Sequence, residues 1–537
     1  MIATYISIIL FIFLMIFLGY IGMRRTKNVN DFFLAGRNLG TWLSAFSYGT
    51  TYFSAVLFVG YAGKLGWLFG LNALWISLGN VVLGTTLAWF ILARRTRRMT
   101  AHLNVMTMPE FLEARYKSAG LKSFAAIVIF IFLIPYSASV YQGLAYLFEA
   151  NLNLPFSACL IFIAVLTGVY LVMGGYHAIN IADLLQGTIM VTGAVLMVFF
   201  LVNTLGGFGE ATKLQKEKYW EHYAKPGVEQ VQQEKNLEPD TDQNDKAPAK
   251  DKKPAPPWWI LFSLVILTSL GPWGLPQMVQ KYYAIRTENL IPKIIIVCTI
   301  FAIIISFVAY YSGSLTHVFF SPGKEEVLET ANGSIDVLKI PMTGGEKPAP
   351  DFDAFIPQML QKHTPGWLNI AILLLILSAS MSTLSGLVLV SSSAIAIDFY
   401  QGRNPSEERR KNALVIMRLL CVVFVMASVA IALFKFTVIV NLMSISWGAV
   451  AGCFLAPYLY GLFWRRGTKA AVWVSMICAL TITIIGYFKF GKNMSPVYGS
   501  ISMVAPLVIF PIFSLITRRL PENHIQHVFS YKDVNGD

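Results

Sequence analysis

Thirteen predominantly apolar runs, at roughly 4–22, 41–62, 68–93, 121–148, 156–174, 178–205, 258–281, 291–316, 365–398, 412–433, 438–463, 468–488 and 499–517, constrain this chain more than any other feature. A bilayer crossing needs about 20 such residues. Lipid offers no partner to a free backbone amide, so the spanning forms are helices and closed barrels. The alternating ten-residue pattern of a barrel is absent. The sequence therefore predicts an all-α polytopic membrane protein with thirteen transmembrane helices. Only 13% of residues are charged and the mean hydropathy is +0.59, against about 25% charged in soluble domains. Globular, disordered and disulfide-scaffold classes are excluded on the same figures.

The formal net charge of +13 does not point to nucleic acid. Its basic residues gather in short loops between apolar runs: Arg24–Arg25, Arg94–Arg98, Arg409–Lys411, Arg465–Arg466 and Arg518–Arg519. With the N-terminus outside and thirteen crossings, all five clusters and the C-terminus fall in the cytoplasm, as the positive-inside bias requires. Residues 4–22 lack a basic stretch before them and are followed by Arg24–Arg25, so they read as a retained span rather than a signal peptide. The five cysteines lie singly in apolar runs and read as packing residues, not as metal ligands or bridges.

Two long loops lie outside. The later part of 206–257, with EPDTDQNDKAPAKDKKPAPP, has the composition of a disordered spacer. The alternative is a partner-binding arm. The loop at 317–364 has short amphipathic stretches suited to covering an outer vestibule.

Two spans differ from the rest. The second places Ser44, Ser47, Gly49, Thr50, Thr51 and Ser54 near its middle, and the seventh contains Gly271, Pro272, Gly274 and Pro276. Proline and glycine permit unwinding there. Two interrupted helices five spans apart are the pattern of an inverted-repeat transporter with its site at the bilayer midplane, although membrane helices also tolerate ordinary kinks. In the ninth span, SASMSTLSG puts Ala379, Ser382 and Thr383 at i, i+3 and i+4, on one helix face. Hydroxyls and freed carbonyls suit a hard cation such as sodium. Each hydroxyl could instead bond the carbonyl four residues back or join helices.

Asp183 is one of very few acids within a span, and such a carboxylate is a functional candidate by default. It could hold a second cation or a proton. It could equally cap a helix with Asn180, near the cytoplasmic end. The motifs HExxH, GxxxxGK[ST] and GxGxxG and paired Cys/His ligand spacings are missing, so an enzyme is not expected, and neither is a cofactor.

DFFLAGRNLG, TMPEFLEARY, GGYHAINIADLLQG, WGLPQMVQKYYAIR and SASMSTLSG…SSSAIAIDFYQG follow one another in order, and with them the chain resembles the sodium/solute symporter family over roughly residues 1–520. The resemblance implies a ten-helix core of two inverted five-helix repeats, with one helix before and two after. The expected division is a first helix and loop (1–40), a first repeat (41–205), an outer loop (206–257), a second repeat (258–463), two peripheral helices (464–519) and a cytoplasmic tail (520–537). It also implies a sodium site formed by the carbonyls of Thr50 and Phe53, Ala379, and the hydroxyls of Ser382 and Thr383. A second sodium would use Asp183 and Ser385, but the position after Ser385, where a further serine is expected, is Gly386.

The family's proline carriers have an aspartate where this chain has Tyr52, while GLPQ is closer to the proline and pantothenate branch than to the sugar branch. The expectation is sodium-driven import of a small carboxylate-bearing solute, such as an amino acid or monocarboxylate, by alternating access across a plasma or bacterial inner membrane. Thr51, Tyr52 and Ser54 would hold it against Trp273, and the open end of a half-helix would favour its negative group. Sodium, the solute and the bilayer are the expected partners, with no nucleic acid and no obligate protein partner. The alternatives are a proton-coupled or uncoupled carrier of the same fold, and a channel or nutrient sensor.

Overall fold

A computed structural model describes residues 2–25, 34–152, 154–224, 253–323, 326–343, 348–401, 406–435 and 437–531. The first helices are α1 (Ile2–Arg25), α2 (Thr41–Tyr52), α3 (Ala62–Phe69), α4 (Leu74–Gly79), α5 (Ala88–His102), α6 (Met108–Tyr116), α7 (Ala119–Leu152), α8 (Phe156–Thr204) and α9 (Phe208–His222). The π-helical stretches Val56–Tyr61 and Asn80–Leu87 lead into α3 and α5. There follow α10 (Trp258–Gly274), α11 (Pro276–Tyr283), α12 (Ile291–Ser314), α13 (Thr316–Phe319), α14 (Phe355–His363) and α15 (Gly366–Ser393). The last are α16 (Glu407–Leu433), α17 (Ile439–Phe463), α18 (Lys469–Phe490), α19 (Ser495–Ile516) and α20 (Glu522–Phe529).

By length and apolarity, ten helical stretches among the described residues can cross a bilayer, or eleven with the bent pair α10–α11. This is fewer than the thirteen expected. The runs at 156–174 and 178–205 lie in one helix, α8, in which Ile179–Thr204 is long enough to cross and the described segment Phe156–Val169 is shorter. The run at 41–62 is divided by a break after Tyr52: Thr41–Tyr52 is too short alone, and the part from Val56 is counted in one stretch with the next run, Val56–His102.

α15 and α17 form the buried centre, while α1, α16, α18 and α19 surround it. The surrounding helices expose Phe13, Phe17, Leu419, Met426, Ile484, Phe488, Val508 and Leu515. In water that surface would aggregate, but around a helical membrane bundle it is the face that meets lipid. The central helices approach closely at small residues. A Cβ on Gly66 of α3 would stand 2.1 Å from the Gly313 carbonyl oxygen of α12, so the two backbones touch there.

At one end of the bundle, residues from four separated motifs meet. Arg37 donates to the carbonyls of Val105 (2.6 Å) and Thr100 (3.2 Å), and Leu39 bridges to Ile285. Thr107 donates to Asp398 at 2.7 Å, and the Lys122 ammonium lies 3.6–3.7 Å from Glu110, Glu113 and Asp398. Arg95 and Arg115 donate to carbonyls at the end of α17, where a helix gathers negative potential. Burial, aided by the neighbouring Arg97, lowers the Arg37 guanidinium to about 10. The basic clusters of α5 and of the α17–α18 turn therefore share this end.

At the other end, Tyr223–Ala224 (β1) pairs in parallel with Lys253–Pro254 (β2). The disordered-spacer reading of the intervening Pro/Lys-rich segment falls on 225–252, outside the described residues. The second loop forms a small sheet in the order β3-β5-β4, from Phe320–Ser321, Glu326–Thr330 and Gly333–Lys339. With α14 it borders a cavity of ≈ 530 Å³ lined by Tyr146, Glu149, Asp351, Lys362 and Lys435 among others.

Candidate functional site

Both expected breaks are present. α2 ends at Tyr52 and Phe53 is extended (φ −104°, ψ 104°). Phe53 N–H bonds to Gly49 O, while Ser54 starts the next segment by accepting Val56 N–H on its hydroxyl. The last carbonyls of α2 thereby lose their usual partners four residues on. α10 and α11 meet at an extended Leu275 with a 44° bend, and Pro276 opens α11, where its missing N–H does no harm.

The broken end of α2 faces the hydroxyl-rich side of α15. Thr383 Oγ1 donates toward the freed carbonyls of Thr50 and Thr51, at 3.2 Å each. Ser382 Oγ lies 2.8 Å from Thr50 Oγ1. Phe53 and Ala379 are buried in the same two segments. Elsewhere on α15 the hydroxyls of Ser380 and Ser392 bond carbonyls four residues back, and those of Ser385 and Ser393 bond carbonyls three back. Ser382 and Thr383 differ from these in reaching oxygens on other helices, whereas Ser392 meets only the Cys421 sulfur of α16, at 3.1 Å, beyond its own helix.

Asp183 joins the same cluster. It is fully buried inside α8, so the reading as a helix cap beside water is overturned. Its Oδ1 accepts Ser382 Oγ at 2.6 Å and its Oδ2 accepts Ser47 Oγ at 2.5 Å. Lys281 of α11 donates to Ser47 Oγ at 2.7 Å and stands 3.7 Å from Asp183 Oδ2. Ser385 is turned onto the Ser382 carbonyl instead.

Sequence reasoning missed Ser47 and Lys281 as site residues. A signal for Lys281 was present: in α11 it directly precedes the two tyrosines of QKYYAIR, yet a lysine near a span end reads first as an interfacial anchor. Only the bend at Leu275 turns this short helix inward.

Next to this cluster, Tyr52, Phe53, Ser54, Val56, Leu57, Tyr61, Asn80, Thr268, Tyr310, Met443 and Trp447 line a cavity of ≈ 20 Å³. That is little more than one water requires. Tyr52 donates to the Thr268 carbonyl at 2.8 Å and its ring stacks on Phe53, with centroids 4.4 Å apart. The Tyr61 and Tyr310 hydroxyls and the Trp447 indole N–H are buried with no hydrogen-bond partner of standard geometry. Of the expected solute contacts, Tyr52 and Ser54 line the cavity. Thr51 presents its carbonyl to Thr383, and Trp273 turns away to donate to Leu83 O at 2.9 Å.

A model of the sodium:solute symporter family matches residues 32–479. The chain is 26% identical to the sodium/proline symporter of Escherichia coli K12, over 99% of this chain and 96% of that one. It is 24% identical to the sodium/proline symporter of Staphylococcus aureus JH9, over 96% and 92%. A solved sodium-coupled sialic acid symporter, substrate-bound and outward-open, superposes with a TM-score of 0.71 at 16% identity, covering 96% of this chain and 99% of that one. The protein is an integral membrane transporter and not an enzyme, its co-transported ion is sodium, and it belongs to the sodium:solute symporter family.

Proposed function

We propose that the chain imports a small carboxylate-bearing solute, such as an amino acid or monocarboxylate, by sodium-coupled alternating access across the plasma membrane, with its N-terminus outside. The observation that carries this reading is Thr383 Oγ1 lying over the carbonyls that the break in α2 sets free. A sodium ion held by the Thr50 and Phe53 carbonyls, Ala379, Ser382 and Thr383 would bind one half-helix to α15. Because α2 continues into the solute cavity, the ion orders the segment that the solute meets. Each ligand then raises the other's affinity by the same factor.

The cavity supports this solute class. Its described lining holds no charged side chain, so no carboxylate waits there for an ammonium group. Three buried donors, on Tyr61, Tyr310 and Trp447, make no hydrogen bond of standard geometry, their polar neighbours being Ser444, Asn80 and Tyr136. A solute bringing carboxylate oxygens would satisfy them, with Tyr52 and Ser54 at its side; Thr51 and Trp273, proposed contacts from the sequence, complete the set only if the segment shifts. The relatives named as proline symporters make proline the first solute to try.

Purified protein in proteoliposomes, offered labelled amino acids and monocarboxylates, tests the proposal. Uptake should require an inward sodium gradient and stop when choline replaces sodium at fixed pH. Uptake that ignores sodium but follows pH would favour proton coupling through Asp183.

A further inference from the structure

We infer that Lys281 supplies, as part of the chain, the second positive charge at this site, so that one sodium ion and not two crosses with each solute. The inference rests on the proposed sodium site and adds the stoichiometry to it.

Asp183 is the attraction a second sodium would need, and its charge is already answered. Lys281 Nζ stands 3.7 Å from Oδ2 and shares Ser47 as a hydrogen-bonded bridge, whose oxygen is 2.7 Å from the ammonium and 2.5 Å from the carboxylate. Ser382 occupies the other carboxylate oxygen. Lysine and aspartate are 1% and 0% exposed, so water does little to screen a third charge brought beside them. A sodium ion at Asp183 would therefore face an ammonium a few ångströms away.

The oxygens around the carboxylate agree with this. Ser385, the nearest further hydroxyl in the motif, bonds the Ser382 carbonyl rather than facing the carboxylate. The next residue, Gly386, has no hydroxyl, and a Cβ there would already contact Thr51 at 3.4 Å. With Lys281 in place a sodium ion would find both carboxylate oxygens engaged; without the ammonium, Ser47 and Asp183 are released as ligands.

The ammonium also sits where it can move with the cycle. It rides on α11, beyond the break at Leu275, whereas Ser47 is on α2, Asp183 on α8 and Ser382 on α15. Motion of either half-helix would separate or rejoin the pair, which makes Lys281 a positioning residue for Asp183 and, through Ser382, for the first sodium.

Equilibrium binding of radiolabelled sodium to purified protein is the test. Wild type should bind one sodium per chain with a Hill coefficient of about 1, and Lys281→Gln should bind two with a coefficient approaching about 2. Lys281→Arg should keep one. Because Lys281→Gln leaves a buried carboxylate unpaired, Lys281→Gln combined with Asp183→Asn serves as the folding control and should return to one. Two sodium ions on wild type, or one on a folded Lys281→Gln, would overturn the inference. No sodium on wild type would instead overturn the site on which it rests.

Discussion

Two hydroxyls, on Ser382 and Thr383, differ in behaviour from their neighbours on α15, and the difference is testable one atom at a time. Thr383→Val keeps the shape and removes the oxygen that lies over the Thr50 and Thr51 carbonyls. Loss of one such ligand, about 1–2 kcal/mol, should raise the sodium concentration for half-maximal uptake roughly ten-fold, while Thr383→Ser stays near wild type. Equal sodium curves for the two variants would remove Thr383 from the site. The residue types in SASMSTLSG announce oxygen ligands, and the i, i+3, i+4 spacing selects one face. Which hydroxyls leave their own helix depends on the partner opposite. Most of the serines bond back to the preceding turn, as local geometry favours. Asp183 was legible as an expensive residue, but its neighbours were not. Ser47 and Lys281 reach it from sequence distances of 136 and 98, across helices whose rotation no local pattern records.

At the scale of the element, broken helices were the most legible feature because proline and glycine act through the backbone. Leu275 separates α10 from α11 beside Pro276, as the Gly271–Pro276 cluster led one to expect. In the first core helix the break falls at Phe53–Ser54, a turn beyond Gly49. Gly49 remains helical because its role is contact: a Cβ there would meet the Phe301 ring at 2.5 Å. The join within α8 was not legible, since the apolar runs at 156–174 and 178–205 read as two separate spans, yet one helix runs from Phe156 to Thr204. Close backbone contact also yields a prediction for α3. Gly66→Ala would place its methyl against the Gly313 carbonyl, with backbone on both sides and no flexible side chain to yield. It should destabilise the packed arrangement by about 1–3 kcal/mol, read as a lowered melting temperature. Gly120→Ala, whose Cβ would meet only the Trp473 ring at 3.4 Å, should melt close to wild type.

For the whole molecule, the loop around Phe352–Ala354 is tied to the start of α17 through Asp353, whose Oδ2 accepts Ile439 N–H at 3.0 Å. Its Oδ1 is buried without a partner. Burial raises this carboxyl from 3.8 to about 7, with the nearby Asp351 adding to the shift and the Ile439 amide and Lys64 opposing it. A carboxyl whose folded value is raised stabilises the docked loop fully below its unfolded value, and that contribution is lost as pH rises through about 7. The melting temperature should therefore fall between about pH 5 and about pH 8 by more than in Asp353→Asn, which lacks the titrating group. Parallel profiles would release Asp353 from this role.

All of these scales meet in the claim that sodium joins the broken end of α2 to α15. The most direct measurement is the melting temperature of purified protein titrated with sodium chloride at constant ionic strength against choline chloride. A ligand that binds only the folded state raises stability by about 1.4 kcal/mol per ten-fold in concentration once above its dissociation constant. Wild type should follow that rise in sodium and stay level in choline, and Ser382→Ala combined with Thr383→Ala should stay level in both. A wild-type response that is the same in the two salts, or a double variant that keeps the full sodium response, would contradict it.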